Sequence, residues 1–219
     1  VPPDLFIPLA EQDGSIIKIG EWVMDQACAQ LRDWHDLGYT DLRMAINLST
    51  VQLHHSELSR SVTNLMQRYD LPPLSLEMEV TETGLMEDIG AAAAHLNSLK
   101  KAGVHIAIDD FGTGYSSLSY LRGLPLDKIK IDKSFVQDVL VDEDDATIVR
   151  AIIQLARSLN MQVIAEGVET AEQESYIIAQ GCNEGQGYLY SKPLAAKAFI
   201  DWLTAFDQRQ NSASNTLKP

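Results

Sequence analysis

An α/β fold built on a parallel sheet is the fold class that the sequence predicts, and three observations predict it. Strand-like and helix-like segments alternate along most of the 219 residues, as in proteins whose parallel sheet is covered by helices. Each strand-like segment has one apolar face, which suits a helix layer. Its second face carries a polar side chain near the strand end, and in a closed (β/α) barrel that face is the interior.

The predicted elements begin with a long helix. Val23, Ala27, Leu31 and Trp34 recur at helical spacing, and Gly38 supplies the stop. Six strands are predicted after it, at residues 42–48, 74–81, 104–109, 128–132, 162–166 and 186–189. Helices are predicted between most of these strands, at residues 89–101, 146–159 and 171–180.

One polar residue on each predicted strand is assigned to the interior. Side chains alternate between the two faces of a strand, so Glu79, for example, lies opposite Met78 and Val80. The inward set is Asn47, Glu79, Asp109, Lys130, Glu166 and Gln186. Their spacing is close to the ~30 residues of one β/α unit in an eight-stranded barrel. An open doubly wound sheet gives similar intervals but places its ligand at one switch point, so we favour the barrel.

Composition restricts the classes of partner. The chain has 31 acidic and 17 basic side chains and a formal net charge of −14, which argues against binding nucleic acid or an anionic membrane surface. One anionic ligand held through a metal remains compatible with that charge. Two cysteines, Cys28 and Cys182, are too few for a disulfide scaffold, so we expect a cytoplasmic, reducing setting. No segment approaches the ~18 apolar residues of a membrane span.

The strand-end side chains predict a divalent cation site. Glu79, Asp109 and Glu166 are carboxylates, Asn47 is an amide, and Asp110 directly follows Asp109. Oxygen ligands without thiolates or clustered imidazoles suit Mg²⁺ or Mn²⁺ rather than zinc. Carboxylates that face one small volume repel each other unless cations neutralise them. The alternative is that each is a solvated strand end, which is less plausible for a set on successive strands.

A kinase-like triplet and a glycine-rich segment do not indicate phosphotransfer. Asp110-Phe111-Gly112 matches the kinase triplet, but the sequence lacks the other kinase motifs. The Gly-Thr-Gly run that follows has no lysine of the P-loop type. We interpret it as a loop that carries Asp110 beside the site.

Seven sequence runs, in this order, resemble those of a known family. They are Phe6-Ile-Pro-Leu-Ala-Glu11, Asn47-Leu-Ser49, Leu76-Glu-Met-Glu-Val-Thr-Glu82, Asp109-Asp-Phe-Gly-Thr-Gly-Tyr-Ser-Ser-Leu118, Lys130-Ile-Asp132, Ala165-Glu-Gly-Val-Glu-Thr170 and Gln186-Gly-Tyr188. Together they resemble the EAL-domain cyclic-di-GMP phosphodiesterases from Phe6 to about Leu203. The resemblance implies a TIM-type barrel that hydrolyses cyclic-di-GMP to linear pGpG with two Mg²⁺ or Mn²⁺ ions.

The resemblance also implies residue roles. The metal ligands it implies are Asn47, Glu79, Asp109, Asp110 and Glu166. It implies that Lys130 is the catalytic lysine, with Asp132 as an acidic partner and Glu166 also in the catalytic set. Glu82 matches the glutamate that anchors the loop of residues 110–117, which this family links to metal binding and dimerisation. Pro8, Glu169 and Gln186 match positions near the bound nucleotide.

One departure from the family concerns its name-giving motif. The Glu-Ala-Leu run, whose glutamate is a further metal ligand, does not occur in the sequence, and six strands are counted where the family has eight. We therefore expect an N-terminally incomplete barrel at residues 1–206, which would aggregate or swap strands if expressed alone, and a polar, disordered tail at residues 207–219. The expected partners are cyclic-di-GMP, a second copy in a homodimer, and upstream sensory or cyclase domains. The alternatives are a catalytically silent cyclic-di-GMP receptor and a fragment that is inactive alone.

Overall fold

A parallel sheet forms the centre of the molecule in the computed structural model, which describes residues 1–114 and 120–216. Within those residues the sheet has six strands, β1 (Met44–Leu48), β2 (Leu76–Thr81), β3 (His105–Phe111), β4 (Lys128–Ile131), β5 (Gln162–Ala165) and β6 (Glu184–Gly185). The strands lie in sequence order, and each neighbouring pair is parallel. The predicted α/β class and the alternation of strands with helices are confirmed.

Helices connect the strands and precede the first of them. The described helices are α1 (Pro3–Gln12), α2 (Ile16–Asp36), α3 (Thr50–Leu53), α4 (Leu58–Arg68), α5 (Glu82–Met86), α6 (Ile89–Lys101), α7 (Lys133–Gln137), α8 (Glu143–Ser158), α9 (Ala171–Gln180) and α10 (Ala196–Thr216). A 3₁₀ turn at Leu121–Gly123 precedes β4. No helix of the described residues combines the length and the apolarity that crossing a membrane requires.

The sheet curves around a polar interior, as the prediction of a TIM-type barrel requires. A cavity of about 390 Å³ is lined by Ala45 of β1, Glu79 of β2, Lys128 of β4 and Glu184 of β6. Side chains from both ends of the sheet can share one cavity only if the sheet bends around it. The opposite face carries buried apolar residues that pack against the helices, among them Met78, Ile106, Ile129 and Val163. TIM-type architecture is therefore confirmed.

Some predicted boundaries are wrong for identifiable backbone reasons. β2 begins at Leu76 rather than at residue 74, because Leu74 has a φ of +68°, which an extended strand does not allow. β6 is Glu184–Gly185 rather than residues 186–189. Gln186 instead bridges the segment after β5: its amide donates to the carbonyl of Ala165, and its carbonyl accepts from the amide of Val168. α8 begins before residue 146, because the Asp142 side chain caps its first turn.

Both ends of the chain contain helix that the sequence patterns did not predict. Helix α1 precedes α2 at the N-terminus. Two compact units divide the chain, Val1–Leu189 and Tyr190–Pro219, and α10 belongs to the second. α10 reaches Thr216, so helical backbone extends into the predicted tail; residues 217–219 lie outside the described residues. The domain boundary at residue 206 stays a prediction.

Candidate active site

Lys130 on β4 lies at the centre of an acidic cluster. Its Nζ is 2.9 Å from Oε2 of Glu79, 3.0 Å from Oδ1 of Asp109 and 2.8 Å from Oε1 of Glu166. The three carboxylates come from β2, from β3 and from the residue after β5. The Lys130 side chain is only 5% exposed. Four of the inward-facing residues that the sequence predicts thus meet at one point.

Burial and the ion pairs shift the pKa values of these groups in opposite directions. Burial by itself would lower the pKa of Lys130, but its ion pairs with Glu79 and Glu166 raise that pKa above its ordinary value. Burial raises the pKa of Glu79 and of Glu166, and Lys130 offsets part of that rise in each. Lys130 therefore stays protonated at neutral pH. In this form its ammonium can stabilise negative charge.

A β-bulge delivers two consecutive carboxylates to this cluster. The pairing of β3 with β4 shifts register between Ile108 and Phe111, and Asp110 has a φ of +53°. The amide of Asp110 donates to Oδ1 of Asp109 at 3.0 Å. Asp109, Asp110 and Glu166 can each offer one carboxylate oxygen, with all three oxygens within 4.8 Å of one another. This donor set consists only of oxygen, which suits a hard divalent cation.

Asp132 contacts this cluster from the start of α7. Its carboxylate caps the helix by accepting from the amide of Ser134 at 2.9 Å and from the hydroxyl of Ser134 at 2.5 Å. Burial would raise the pKa of Asp132, but the hydrogen bonds from Ser134 lower it. Burial, together with the charges of Asp109 and Asp132, raises the pKa of Asp110, which is hydrogen-bonded to Asp132. Asp132 thus has a structural role, and its predicted catalytic role stays a prediction.

Asn47 occupies the same level of the sheet as Glu79. The two residues are register partners in the pairing of β1 with β2, and Asn47 is exposed. An amide oxygen at that level could add a neutral ligand to the carboxylates. Its predicted role as a metal ligand stays a prediction.

Glu82 holds both ends of the loop that follows β3. Its carboxylate is buried, with 2% of the residue exposed. It accepts from the amide of Gly112 at 3.1 Å and from the hydroxyl of Tyr120 at 3.2 Å. These contacts support the predicted role of Glu82 as loop anchor. Residues 115–117 of the predicted loop lie outside the described residues.

A second cavity adjoins the acidic cluster. It has a volume of about 350 Å³, and Glu166, Glu169 and Gln186 line it together with Lys133 and Tyr188. The structure therefore brings two of the predicted nucleotide-binding residues to one surface beside a predicted metal ligand. Pro8 is exposed within α1 and is not among the described residues that line this cavity.

Comparison with known proteins identifies the family. The model of the EAL domain matches residues 1–193. The chain belongs to the EAL domain family. The resemblance that the sequence runs indicate is confirmed.

Two proteins of Pseudomonas aeruginosa that are similar to this EAL domain are named as enzymes. The bifunctional diguanylate cyclase/cyclic di-GMP phosphodiesterase MucR is 47% identical over 200 residues, which cover 91% of this chain and 29% of MucR. The cyclic di-GMP phosphodiesterase NbdA is 43% identical over 204 residues, which cover 93% of this chain and 26% of NbdA. The chain spans a quarter to a third of the length of these curated relatives.

Solved structures show the same fold. A structure described as the PaMucR phosphodiesterase in complex with c-di-GMP has a TM-score of 0.87 and 47% identity, over 91% of this chain and 81% of that one. The EAL domain of FimX from Pseudomonas aeruginosa, bound to c-di-GMP, has a TM-score of 0.82 and 26% identity, over 90% of this chain and 78% of that one.

Sequence reasoning missed part of this EAL domain's polar interior. Lys133 and Tyr188 line the second cavity. Lys133 directly follows one run that carries the resemblance and Tyr188 ends another, which is the signal that could have found them. Glu77, Lys128 and Glu184 line the first cavity. Glu77 and Lys128 lie two residues before Glu79 and Lys130 and so share their strand face, but no motif indicated that they would pair with each other.

Proposed function

We propose that this EAL domain hydrolyses cyclic-di-GMP to linear pGpG and requires Mg²⁺ or Mn²⁺. The observation that carries the proposal is the acidic cluster around Lys130. The names of its relatives and the nucleotide in two related structures support the choice of substrate.

The charge of the cluster favours bound cations. Glu79, Asp109, Asp110 and Glu166 supply four carboxylates against the single ammonium of Lys130, which leaves three formal negative charges in a partly buried volume. A phosphodiester is itself anionic and would be repelled by such a site. Divalent cations bound here would supply a water of lowered pKa and would offset the charge of the phosphoryl oxygens. The residues that would hold them are these carboxylates and Asn47.

Lys130 supplies the fixed positive charge in this proposal. Its ammonium, which pairs with Glu79, Asp109 and Glu166, can orient the attacking water and offset negative charge that develops on the phosphate. Its burial keeps bulk water from screening that charge.

The cavity beside the cluster is suited to part of the nucleotide. Its volume of about 350 Å³ lies within the range of small-molecule sites. Glu169 and Gln186 offer polar groups that could hydrogen-bond a base or a ribose, and Tyr188, which is 60% exposed, offers a ring surface. Because Glu166 lines both this cavity and the cluster, a nucleotide bound here would have its phosphate near the carboxylates.

The experiment measures conversion of cyclic-di-GMP to pGpG by the intact polypeptide that contains this sequence, with Mg²⁺, with Mn²⁺ and with EDTA. We expect cation-dependent cleavage that Asp109→Asn abolishes. Asp33→Asn on the exposed side of α2 is the matched control and should keep full activity. Cleavage that is unchanged in EDTA or in Asp109→Asn would refute the metal assignment. Tight binding of cyclic-di-GMP without cleavage would establish the receptor alternative.

The names of its relatives also support a setting for this domain. MucR is named as bifunctional, and DosP of Escherichia coli, 38% identical over 205 residues, is named as an oxygen sensor. We therefore propose a signalling domain that works with sensory or cyclase domains. On the basis of the sequence analysis we also propose that it is cytoplasmic and pairs with a second copy of itself. Light scattering at several protein concentrations tests the homodimer, and a monomer at every concentration would refute it.

A further inference from the structure

A second layer of charged side chains lies two residues earlier on the strands than the acidic cluster. Nζ of Lys128 is 3.1 Å from Oε2 of Glu77 and 2.8 Å from Oε2 of Glu184. Glu77 also pairs with Arg43 at 3.1 Å. The Lys128 and Glu77 side chains are each 5% exposed. This layer contains two carboxylates and two cationic side chains and is therefore neutral. In contrast to the acidic cluster, it needs no divalent cation to balance its charge.

The layer links β6 to the far side of the barrel interior. β6 has only two residues, and it pairs with β5 at Glu184 and Gly185. The ion pair of Glu184 with Lys128 connects β6 to β4, and Lys128 continues the link to Glu77 on β2. Side-chain contact across the interior therefore supplements the short backbone pairing of β6.

Gln186 depends on the placement of this short strand. It follows Glu184 by two residues, and both side chains line the first cavity. Gln186 also lines the second cavity with Glu166 and Glu169. Its backbone bonds to Ala165 and to Val168 hold its main chain near that cavity, and the ion pair of Glu184 adds a side-chain link from the same segment into the interior.

We propose that Glu184, held by Lys128, is a positioning residue that fixes Gln186 at the edge of the nucleotide cavity. The inference rests on the proposed function, because Gln186 is a nucleotide-binding residue only within it. Glu184 is partly exposed, and Lys128 keeps its pair with Glu77 when Glu184 loses its charge. The fold should therefore tolerate Glu184→Gln, and the effect should appear in substrate binding.

The test is a double-mutant cycle on Glu184→Gln and Gln186→Ala, made in the intact polypeptide. KM, kcat and melting temperature are measured for each variant with cyclic-di-GMP and Mg²⁺, and Kd is measured by calorimetry. We expect Glu184→Gln to raise KM about fivefold with kcat and melting temperature nearly unchanged. In the double variant KM should equal that of Gln186→Ala alone, because Glu184 acts through Gln186. Glu172→Gln on the exposed surface of α9 is the control.

Three results would overturn the inference. They are an unchanged KM in Glu184→Gln, effects on KM that multiply in the double variant, and a lower melting temperature with normal KM, which would mean a structural role alone. If the wild type binds cyclic-di-GMP without cleaving it, the hydrolysis proposal fails, and the same cycle is then evaluated on Kd. A wild type that neither binds nor cleaves the nucleotide would overturn both.

Discussion

Replacing Lys130 by alanine removes the only cation that contacts Glu79, Asp109 and Glu166 among the described ion pairs. Breaking a buried ion pair by deleting one partner costs about 3–5 kcal/mol, because the remaining charge is left uncompensated. In a chain of this size each kcal/mol lowers the melting temperature by roughly 2–4 °C. We therefore expect Lys130→Ala to melt about 6–20 °C below the wild type in EDTA.

Divalent cations should reverse part of this loss, because they can supply the missing positive charge. The gain in melting temperature on adding Mg²⁺ should therefore be larger for Lys130→Ala than for the wild type. Catalysis should not recover. We expect kcat to remain about 10²- to 10³-fold lower at saturating Mg²⁺, as for loss of one electrostatic stabiliser.

Scanning calorimetry with and without Mg²⁺ measures the first effect, and steady-state cleavage of cyclic-di-GMP measures the second. Lys101→Ala, an exposed lysine at the end of α6, is the matched control and should change neither. Equal Mg²⁺ gains in Lys130→Ala and the wild type would show that the cluster is not a cation site. An unchanged kcat would remove Lys130 from the catalytic set, whatever its contribution to stability.

Two further predictions concern the surroundings of the site, and a third concerns the apolar core. Glu82→Ala should raise the Mg²⁺ concentration needed for half-maximal activity, because the Gly112 amide loses its acceptor and the backbone next to Asp110 is held less firmly. An unchanged Mg²⁺ titration would contradict this. Gly187→Ala should abolish nucleotide binding, because a Cβ there would lie 2.1 Å from the Val168 carbonyl oxygen. In the control Gly123→Ala the new Cβ meets no atom within 4 Å, so this variant should bind normally. Calorimetric titration with cyclic-di-GMP measures both affinities. Burial raises the pKa of the Cys28 thiol to about 11, so it should resist a thiol reagent at pH 8 until the protein unfolds, and fast labelling of Cys28 in folded protein, located by peptide mapping, would refute this burial.

The alternation of apolar and polar residues along the strands made much of the sheet predictable. A strand buried on both faces still alternates apolar and charged residues here, because its inner face lines a polar cavity rather than a packed core. Glu77 and Glu79 against Met78 and Val80 show this clearly, and all four are buried. The meeting of Glu79, Asp109, Lys130 and Glu166 followed from that alternation and from the common direction of parallel strands.

The features that the patterns did not predict depend on backbone conformation or on contacts distant in sequence. The left-handed φ of Leu74 shortens β2, and no residue pattern indicates such a conformation at a leucine. β6 is Glu184–Gly185 because these residues pair with Ile164 and Ala165 of β5, and no residue pattern indicated that pairing. The pairing of Lys128 with Glu184 joins residues 56 positions apart. The neutrality of the second layer of charged side chains is therefore visible only in the folded structure.

The bulge at Asp110 explains how one strand can contribute two carboxylates to the same site. In a regular strand Asp109 would point to the interior and Asp110 to the opposite face, where Ile106 and Ile108 are buried against the helices. A carboxylate in that layer would be desolvated without a partner, at a cost of several kcal/mol. The left-handed φ of Asp110 costs about 1–3 kcal/mol, which is the smaller penalty, and it turns the carboxylate toward Asp109 and Glu166. The strain is therefore the structural condition for placing a third carboxylate oxygen within reach of one cation.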